Sequence, residues 1–421
     1  MMNLFLYNLI ISLLLPFALI RLLYRGLIQP EYLNFWHERL GWYFRKDSVW
    51  SEKNTLWLHC VSVGETKAAL PLIKMVIKDY PDINILLTHG TLTGRRVAID
   101  YSDRIHRCYL PFDLKWAVKN FLDHYQPRMG LILETEIWPN LIDQCCSQKI
   151  PLFLINARLS EKSLRSYAPY KKIISEALSK LKHIYVQSTI DKINFSNLTE
   201  QPISIMGNLK FDARPPEDIA QKTHKLKAQL KIKKEFVIVV SSTRDGEEAV
   251  ILKLFKKINL ANALVIIIPR HPERFSEVEK LFDSYQLPYR KRSDLKNLIS
   301  CPHYVLGDSM GELYEYYGLA SLVIMGGSIK NFGSQNIIEP MLLNRPIAVG
   351  PSIFNFKHIV EISQKEGLVY RFRGMDELEE IILQLMNAED LRKRIAIKTS
   401  NFIERNSGAS KKILQLINQY F

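Results

Sequence analysis

The chain of 421 residues has only five cysteines, and none of them forms a CxxC pair. An odd, scattered set of cysteines is typical of proteins from a reducing compartment, so we expect buried thiols and no structural zinc. The sequence also lacks a GxxxxGKS or GxxxxGKT phosphate loop and a GxGxxG dinucleotide motif, which disfavours an NTPase or a dehydrogenase. It has no low-complexity segment and no fixed-period repeat, so packed globular domains are expected. The cysteines are Cys60, Cys108, Cys145, Cys146 and Cys301.

Charged side chains are absent from the first 20 residues, which are mostly Leu, Ile, Phe and Met. An apolar stretch of ~20 residues is long enough to cross the hydrocarbon core of a bilayer as a helix. A cleaved signal peptide would begin with a positive segment, whereas here Arg21 and Arg25 follow the apolar run. The positive-inside rule then predicts a single-pass N-terminal anchor, with the rest of the chain on the cytoplasmic side.

Negative charge is in short supply, because 43 acidic residues stand against 57 basic ones and give a net charge of +14. Such an excess implies an anionic partner, which is nucleic acid, an acidic membrane surface or a phosphorylated substrate. Aromatic and basic residues alternate between residues 24 and 46, the composition of an interfacial segment above anionic lipid, although a buried linker helix has the same pattern. With the apolar N-terminus, this favours anionic membrane lipids as partners, and no nucleic acid.

Short apolar runs that end in small or polar residues recur from residue 55 onward, each followed by a helical pattern. Apolar strands that alternate with helices indicate a parallel sheet covered on both faces. A charged tract at 212–234 interrupts the series, so we predict an α/β protein with two Rossmann-like domains and a hinge near 208–216. The runs are Leu56–Val63, Ile83–Thr88, Leu131–Leu133, Leu152–Ile155, Ile184–Val186, Phe236–Val240, Leu264–Ile268, Tyr304–Leu306, Leu322–Met325 and Pro346–Val349.

These patterns divide the chain into six segments. The last segment is amphipathic and is expected to dock on the first domain. In order, we expect a membrane anchor helix at 1–22, an interfacial linker at 23–54, a Rossmann-like domain at 55–207, an interdomain linker at 208–235, a second Rossmann-like domain at 236–405 and a C-terminal helix at 406–421.

The most informative stretch is the end of the first run, because it breaks at Gly64 and leaves Glu65 where a helix should begin. Gly64 permits a tight turn, and the unpaired amides of the first helical turn should surround the carboxylate and keep it ionised. A carboxylate presented in this way can serve as a general base. The alternative is that Glu65 only complements the helix macrodipole.

Other runs of the first half also end in polar motifs, where the crevice of a doubly wound sheet should lie. Glu134 and Glu136 are one residue apart, so a continuing strand would point them to opposite sides and only one would face the site. The alternatives are that Glu136 caps a helix or pairs with Arg158, and that 88–94 is a simple turn.

In the second half, glycines and hydroxyls precede several helix starts and would form amide-rich pockets for phosphate. Arg270 follows a strand and can clamp an anion, and a Glu at a helix start can hold a ribose diol. Four such segments in one half resemble a nucleotide-sugar site. They are 241–248, 269–274, 307–312 and 326–340.

Six motifs follow one another in order along the chain: VSVGE at 61–65, ETEIWPN at 134–140, NARLS at 156–160, GNLKFD at 207–212, PRHPERF at 269–275 and GDSMGEL at 307–313. Together they resemble the 3-deoxy-D-manno-octulosonic acid (Kdo) transferases of Gram-negative bacteria, over nearly the whole chain. The resemblance implies a GT-B glycosyltransferase, with two Rossmann-like domains facing across a cleft, anchored at the cytoplasmic face of the inner membrane. It would move Kdo from CMP-Kdo, bound by the second domain, to lipid IVA, the tetraacyl disaccharide bisphosphate precursor of lipid A, bound by the first.

The resemblance also assigns roles to residues. The proton acceptor of the family falls on Glu65, and its transition-state stabilisers fall on Glu134 and Lys210. The segment that usually reads GGHNPLE in the family reads GSQNIIE at 333–339 here, with the flanking Asn and Glu kept. The CMP-Kdo contacts fall on Pro269, Arg270, Met310, Gly311, Glu312, Asn336, Ile337, Ile338 and Glu339.

Attack of a sugar hydroxyl on the ketosidic carbon, with CMP leaving, needs a base for the proton and positive charge for the phosphate. Glu65 can supply the first, and Lys210 and Arg270 the second, so we predict an inverting single displacement. No Asp-x-Asp motif stands at a strand end, and we expect no metal and no cofactor. Rival hypotheses are a nucleotide-sugar epimerase of the same architecture, which the anchor disfavours, and a non-catalytic membrane-tethered sugar-binding protein.

Overall fold

The structure is a computed structural model that describes residues 3–43, 54–97, 102–233, 236–258, 260, 262–295 and 298–421. In these residues two seven-stranded sheets form, and the strand pairs in both are parallel. The first sheet contains β1 (Thr55–His59), β2 (Asn84–His89), β3 (Ile105–Tyr109), β4 (Met129–Leu133), β5 (Leu152–Ala157), β6 (His183–Val186) and β7 (Ile203–Ile205). The second contains β8 (Phe236–Thr243), β9 (Ala263–Pro269), β10 (Tyr289–Lys291), β11 (Tyr304–Leu306), β12 (Leu322–Met325), β13 (Ile347–Val349) and β14 (Val369–Arg371).

Helices connect most of the consecutive strands, as parallel pairing requires. They are α1 (Leu4–Ile28), α2 (Val63–Asp79), α3 (Leu92–Val97), α4 (Lys115–Tyr125), α5 (Pro139–Ser147), α6 (Glu161–Tyr167), α7 (Lys171–Leu178), α8 (Thr189–Ser196), α9 (Ile219–Gln229), α10 (Glu247–Lys257), α11 (Phe275–Ser284), α12 (Leu313–Leu319), α13 (Ile338–Leu342), α14 (Lys357–Lys365), α15 (Met375–Asn387), α16 (Glu389–Asn406) and α17 (Ala409–Ile417). Short 3-10 helices lie at Pro30–Leu33, Trp36–Leu40, Ala168–Tyr170, Leu209–Asp212 and Pro272–Arg274.

The chain divides into two compact units, Met1–Ala213 with Asn406–Phe421, and Arg214–Arg405. The strand order is β3-β2-β1-β4-β5-β6-β7 in the first unit and β10-β11-β9-β8-β12-β13-β14 in the second. Each order reverses beside its first strand, between β1 and β4 and between β8 and β12. Doubly wound sheets bind ligands beyond the carboxyl ends of the strands at such a switch point. The predicted α/β architecture with two Rossmann-like halves is confirmed.

Both faces of the first sheet are covered by helices. Successive residues of a strand point to opposite faces, so Trp57 packs with residues of α4, α5 and α7, whereas its neighbour Leu58 packs with residues of α2 and α17. The C-terminal helix thus completes one of the two cores of the first unit. It contributes Ala409, Ile413, Leu416 and Ile417 to that core.

Two expectations from the sequence are wrong in detail. The first apolar run ends as a strand at His59 rather than at Val63, because Ser62 is the N-cap of α2. The thiols are not all buried, since Cys146 is exposed and Cys301 is half-buried. Neighbours on a helix point about 100° apart, so Cys145 of α5 faces the core while Cys146 faces outward.

Among the described residues, α1 is the one helix long and apolar enough to cross a membrane, with a mean hydropathy of 2.0. It has Asn3 as its N-cap and Pro16 in its interior. None of the residues in its most apolar stretch of 18 residues is buried. The helix therefore fits a membrane anchor by length and composition.

Candidate active site

Glu65 lies in the first turn of α2, just beyond the carboxyl end of β1. Its carboxylate accepts hydrogen bonds from the Val61 amide at 2.7 Å and the Ser62 hydroxyl at 2.9 Å, and its own amide donates to the Ser62 hydroxyl at 3.3 Å. This reciprocal pattern is a variant of the capping box, in which the Glu65 carboxylate accepts from the amide of Val61, one residue before the N-cap, and not from that of Ser62. Glu65 thus has a structural role in addition to any role in proton transfer.

The 88–94 motif supports the turn that carries Glu65. A Cβ on Gly90 would lie 2.8 Å from the Val61 side chain, and a Cβ on Gly94 would lie 3.2 Å from the Val61 carbonyl oxygen. The Thr91 hydroxyl also donates to that carbonyl at 3.1 Å. The motif is therefore a turn leading into α3, and its two glycines permit the turn and α3 to pack directly against the loop before α2.

Glu134 follows the last residue of β4, the strand next to β1 in the sheet. It has a φ of 58°, and this left-handed conformation ends the strand, so the alternation of a continuing strand does not apply to residues 134–136. The Glu134 carboxylate and the Lys210 ammonium are 3.5 Å apart. The structure thus brings together the two residues predicted as stabilisers, at the switch point of the first sheet.

Lys210 is held by a network that joins the ends of β5 and β7. The Asn208 side chain accepts from the Lys210 amide at 3.0 Å, and the Asn156 side chain accepts from the Leu209 amide at 3.0 Å. Asp212, two residues on, accepts from amides at the start of α17. Asn156 and Asn208 were not among the predicted site residues, and their presence in the NARLS and GNLKFD motifs was the signal that pointed to them.

Burial and the negative charge of Glu134 raise the pKa of Glu65, against the lowering by its own hydrogen bonds and by Lys210. This rise in pKa is opposite to the prediction from the sequence that the carboxylate is kept ionised, because that prediction considered only the amides of the helix. Burial, followed by the charge of Glu65, raises the pKa of Glu136 to about 7. The charge of Glu136 therefore interacts with those of Glu65 and Glu134. The prediction that only one of Glu134 and Glu136 faces the site loses its premise, because the strand does not continue past Leu133.

Two histidines close to this turn are unsuited to act as the base. His59 and His89 are buried, and burial lowers the pKa of His59 to about 3 and the pKa of His89 to about 4. Their rings bond within the fold, His59 to the Thr88 hydroxyl at 2.8 Å and His89 to the Cys60 carbonyl at 3.0 Å. Both imidazoles are neutral and sealed from an acceptor, unlike Glu65, which keeps 8% of its surface exposed.

In the second unit, three of the predicted CMP-Kdo contacts are accessible at strand ends. Arg270 is exposed just after β9, which ends at Pro269, and its amide donates to the Thr243 carbonyl at 3.0 Å. After β11, Met310 is 59% exposed, and Gly311 has a φ of 84° with open space where a side chain would be. Loops of this kind admit a ligand close to the main chain.

Other predicted contacts are engaged within the fold. The Glu312 carboxylate accepts two hydrogen bonds from the Arg292 guanidinium, at 2.7 and 3.0 Å. The Asn336 side chain accepts from the Ile338 amide at 3.1 Å. The side chains of Ile337 and Ile338 are buried, so only their main chain is available to a ligand.

The Gly-Gly segment after β12 was predicted to bind phosphate through its main-chain amides, but three of these amides are already bonded within the fold. The buried Glu247 carboxylate accepts from the amides of Gly327 at 2.7 Å, Ile329 at 2.9 Å and Lys330 at 3.1 Å. A charged acceptor in a nest of amides fixes the loop in place. Glu247 is thus a helix-starting Glu that serves the fold, whereas Glu339 lies in the first turn of α13 beyond this loop.

Residues 34–213 match the family described as 3-Deoxy-D-manno-octulosonic-acid transferase (kdotransferase). The 3-deoxy-D-manno-octulosonic acid transferase of Haemophilus influenzae is 31% identical over 397 residues, which cover 93% of this chain and 92% of that protein.

Solved structures share the fold at lower identity. The UDP-GlcNAc 2-epimerase from Neisseria meningitidis, bound to UDP-GlcNAc, has a TM-score of 0.59 and 15% identity, over 87% of this chain and 100% of its own. A glycosyltransferase from Rickettsia africae has a TM-score of 0.59 and 13% identity, over 88% of this chain and 99% of its own. These similarities confirm the GT-B fold class. Because an epimerase and a glycosyltransferase both share it, the fold alone does not separate the two activities.

Proposed function

This chain belongs to the Kdo transferase family, and from that premise we propose that it moves Kdo from CMP-Kdo to lipid IVA at the cytoplasmic face of the inner membrane. Family membership makes it a glycosyltransferase rather than an epimerase. The observation that carries the rest of the proposal is the group of Glu65, Glu134, Glu136 and Lys210 at the switch point of the first sheet. A base whose pKa is raised by burial and by an acidic neighbour suits the removal of a proton from the acceptor hydroxyl.

In the proposed reaction, Glu65 takes the proton of an acceptor hydroxyl. The hydroxyl oxygen forms a bond to the ketosidic carbon of Kdo as the bond from that carbon to the phosphate oxygen breaks, and CMP leaves with the electron pair. Attack from the opposite face makes this an inverting single displacement. The raised pKa of Glu65 makes it a stronger base than an ordinary carboxylate.

Positive charge completes the proposed machinery. Lys210, held beside Glu134, stabilises charge that develops in the transition state, and Arg270 in the second unit binds the phosphate of CMP. The net charge of +14 suits CMP-Kdo, a bisphosphorylated lipid and an anionic leaflet alike. The donor contacts that we propose are Pro269, Arg270, Met310, Gly311, Glu312, Asn336, Ile337, Ile338 and Glu339.

Transfer is tested by incubating the purified full chain with lipid IVA and a CMP-Kdo generating system, followed by mass spectrometry of the lipid. We expect the lipid to gain the mass of one or more Kdo units. Unmodified lipid, from protein that is folded and binds CMP, would contradict the proposal and favour a sugar-binding protein without catalysis.

The capping box gives a sharp test of Glu65. In Glu65→Gln, the side-chain oxygen still accepts from the Val61 amide, and Gln serves in capping boxes as Glu does, but it cannot take a proton. We expect transfer to fall about 10²–10⁴-fold with little change in melting temperature.

Ser62→Ala is the matched control, because it removes the helix cap and one hydrogen bond to the Glu65 carboxylate but keeps the carboxylate itself. It should cost about 1 kcal/mol of stability and retain most of the activity. Wild-type transfer by Glu65→Gln would remove Glu65 from the mechanism.

A further inference from the structure

The first turn of α1 is attached to the first unit. The Tyr7 hydroxyl donates to the Asp113 carboxylate at 2.8 Å, and the Asn140 side-chain amide donates to the Asn8 side chain at 2.7 Å. Leu4 and Tyr7 also pack against the core that contains α4, α5 and α7. Asp113 in turn accepts from two amides at the start of α5, so this end of α1 is fixed to a well-connected part of the unit.

The other end of α1 returns to the same unit. Gly26 is buried so closely against Leu33 that an added Cβ would lie 2.4 Å from its side chain. Three residues beyond the helix, Glu31 pairs with Arg96 at 2.6 Å. A helix of 25 residues is ~37 Å long. With both of its ends on one unit, such a rod lies along that unit and does not project from it.

The two sides of α1 differ in exposure. At 100° per residue, all of its half-buried or buried residues fall within ~120° of the helix circumference, as at Leu4, Ile11, Leu15 and Leu22. The opposite side carries large apolar side chains in the open, for example Phe5 at 78%, Phe17 at 69% and Leu27 at 84% exposure. Apolar surface of this extent marks an interaction site rather than a face that water covers.

We propose that α1 is an in-plane anchor, which lies flat in one leaflet with its exposed apolar side inserted and does not cross the bilayer. A crossing helix would carry Tyr7 ~30 Å away from residue 28, to the far side of the bilayer and out of reach of Asp113. An interfacial helix instead buries its apolar face ~5–10 Å deep at the boundary of headgroups and acyl chains. The exposed Arg21 and Arg25 then meet anionic headgroups. This proposed topology differs from the single-pass anchor predicted from the sequence, in which α1 would cross the bilayer.

The attachment point connects the anchor with the acidic group. Asn140, which binds Asn8, starts α5 directly after the loop that carries Glu134 and Glu136. The leaflet therefore lies beside the residues that we propose receive a lipid acceptor. This consequence rests on the proposed function, whereas the topology of α1 does not.

Sidedness is tested with two thiol variants of the full chain, both with Cys146→Ser and Cys301→Ser. One carries a thiol in a hydrophilic tag at the N-terminus, and the other carries Lys119→Cys on the exposed side of α4. A membrane-impermeant maleimide is applied to spheroplasts before and after permeabilisation. We expect the two thiols to react alike in both conditions. Reaction of one thiol and protection of the other would mean that α1 crosses the bilayer, and loss of the tag by cleavage would equally overturn the proposal.

Insertion is tested separately by fractionation. Leu13→Glu with Phe17→Glu places two charges on the exposed side of α1, and we expect at least half of this variant to move from the membrane to the soluble fraction. The matched control, Lys119→Glu, stays with the membrane. A double variant that fractionates like the control would show that the exposed side of α1 is not in lipid.

Discussion

The Glu65 carboxylate has a negative neighbour in Glu134, which raises its pKa, and a positive one in Lys210, which lowers its pKa. A base works only when deprotonated, so the acid limb of the kcat/KM profile reports the pKa of Glu65. We expect Glu134→Gln to move this limb to lower pH and Lys210→Met to move it to higher pH, whatever each does to the maximal rate. Profiles of wild type and both variants measure the shifts. If the acid limbs of the two variants move in the same direction, or do not move, Glu65 is excluded as the titrating base.

Glu136 gives the same group a second dependence on pH. Its pKa, raised from 4.5 to about 7 by burial and then by Glu65, favours the protonated form in the folded chain. This contribution to stability is complete below pH ~4.5 and is lost as the pH rises through ~7. Glu136→Gln cannot ionise, so its stability relative to wild type should be ~1–2 kcal/mol greater at pH 8 than at pH 4.5. Thermal unfolding of the detergent-solubilised chain at both pH values measures this, and an equal difference at the two would contradict it.

Among the secondary-structure elements, the strands that no apolar run predicted are the four at the sheet edges, β3, β7, β10 and β14. The ten predicted runs coincide with the ten inner strands, each of which has a neighbouring strand on both sides. Edge strands have one neighbour only, and these four are short or interrupted by polar residues, as in IHRCY and YRK. Apolar runs in the sequence therefore predict the inner strands of a sheet but not its edge strands.

The loops that build the candidate site show the same limit. Glu65 was predictable because its signal is local, an apolar run that gives way to a helical pattern. The tight turn predicted at Gly64 is wrong, because Gly64 lies in the first turn of α2 and an added Cβ would meet only the Ser62 hydroxyl, at 3.8 Å. Leu209, which precedes Lys210, is held by Asn156, which is far away in the sequence. The loop at 327–330 is likewise fixed by Glu247 at the start of α10. Hydrogen bonds between distant segments leave no periodic trace. A sequence pattern thus identifies candidate residues. Whether a carboxylate holds a loop in place or is available to a ligand depends on tertiary contacts that the pattern does not show.

Over the whole chain, the two units take different parts of the proposed reaction, with the base in the first and the cytidylate contacts in the second. We expect Arg270→Ala to weaken CMP binding about 10–100-fold, the loss of a hydrogen bond between charged groups, and to raise the KM for CMP-Kdo.

Glu65→Gln should instead lower kcat and leave the affinity for CMP unchanged, because binding of the nucleotide does not involve the base. Calorimetry with CMP and transfer assays on the same preparations measure both, with Lys253→Ala on the exposed side of α10 as the control. Unchanged CMP affinity in Arg270→Ala would remove Arg270 from the donor site. Equal losses of CMP affinity in Arg270→Ala and Glu65→Gln would mean that the donor nucleotide depends on both units, and the assignment of separate tasks would fail.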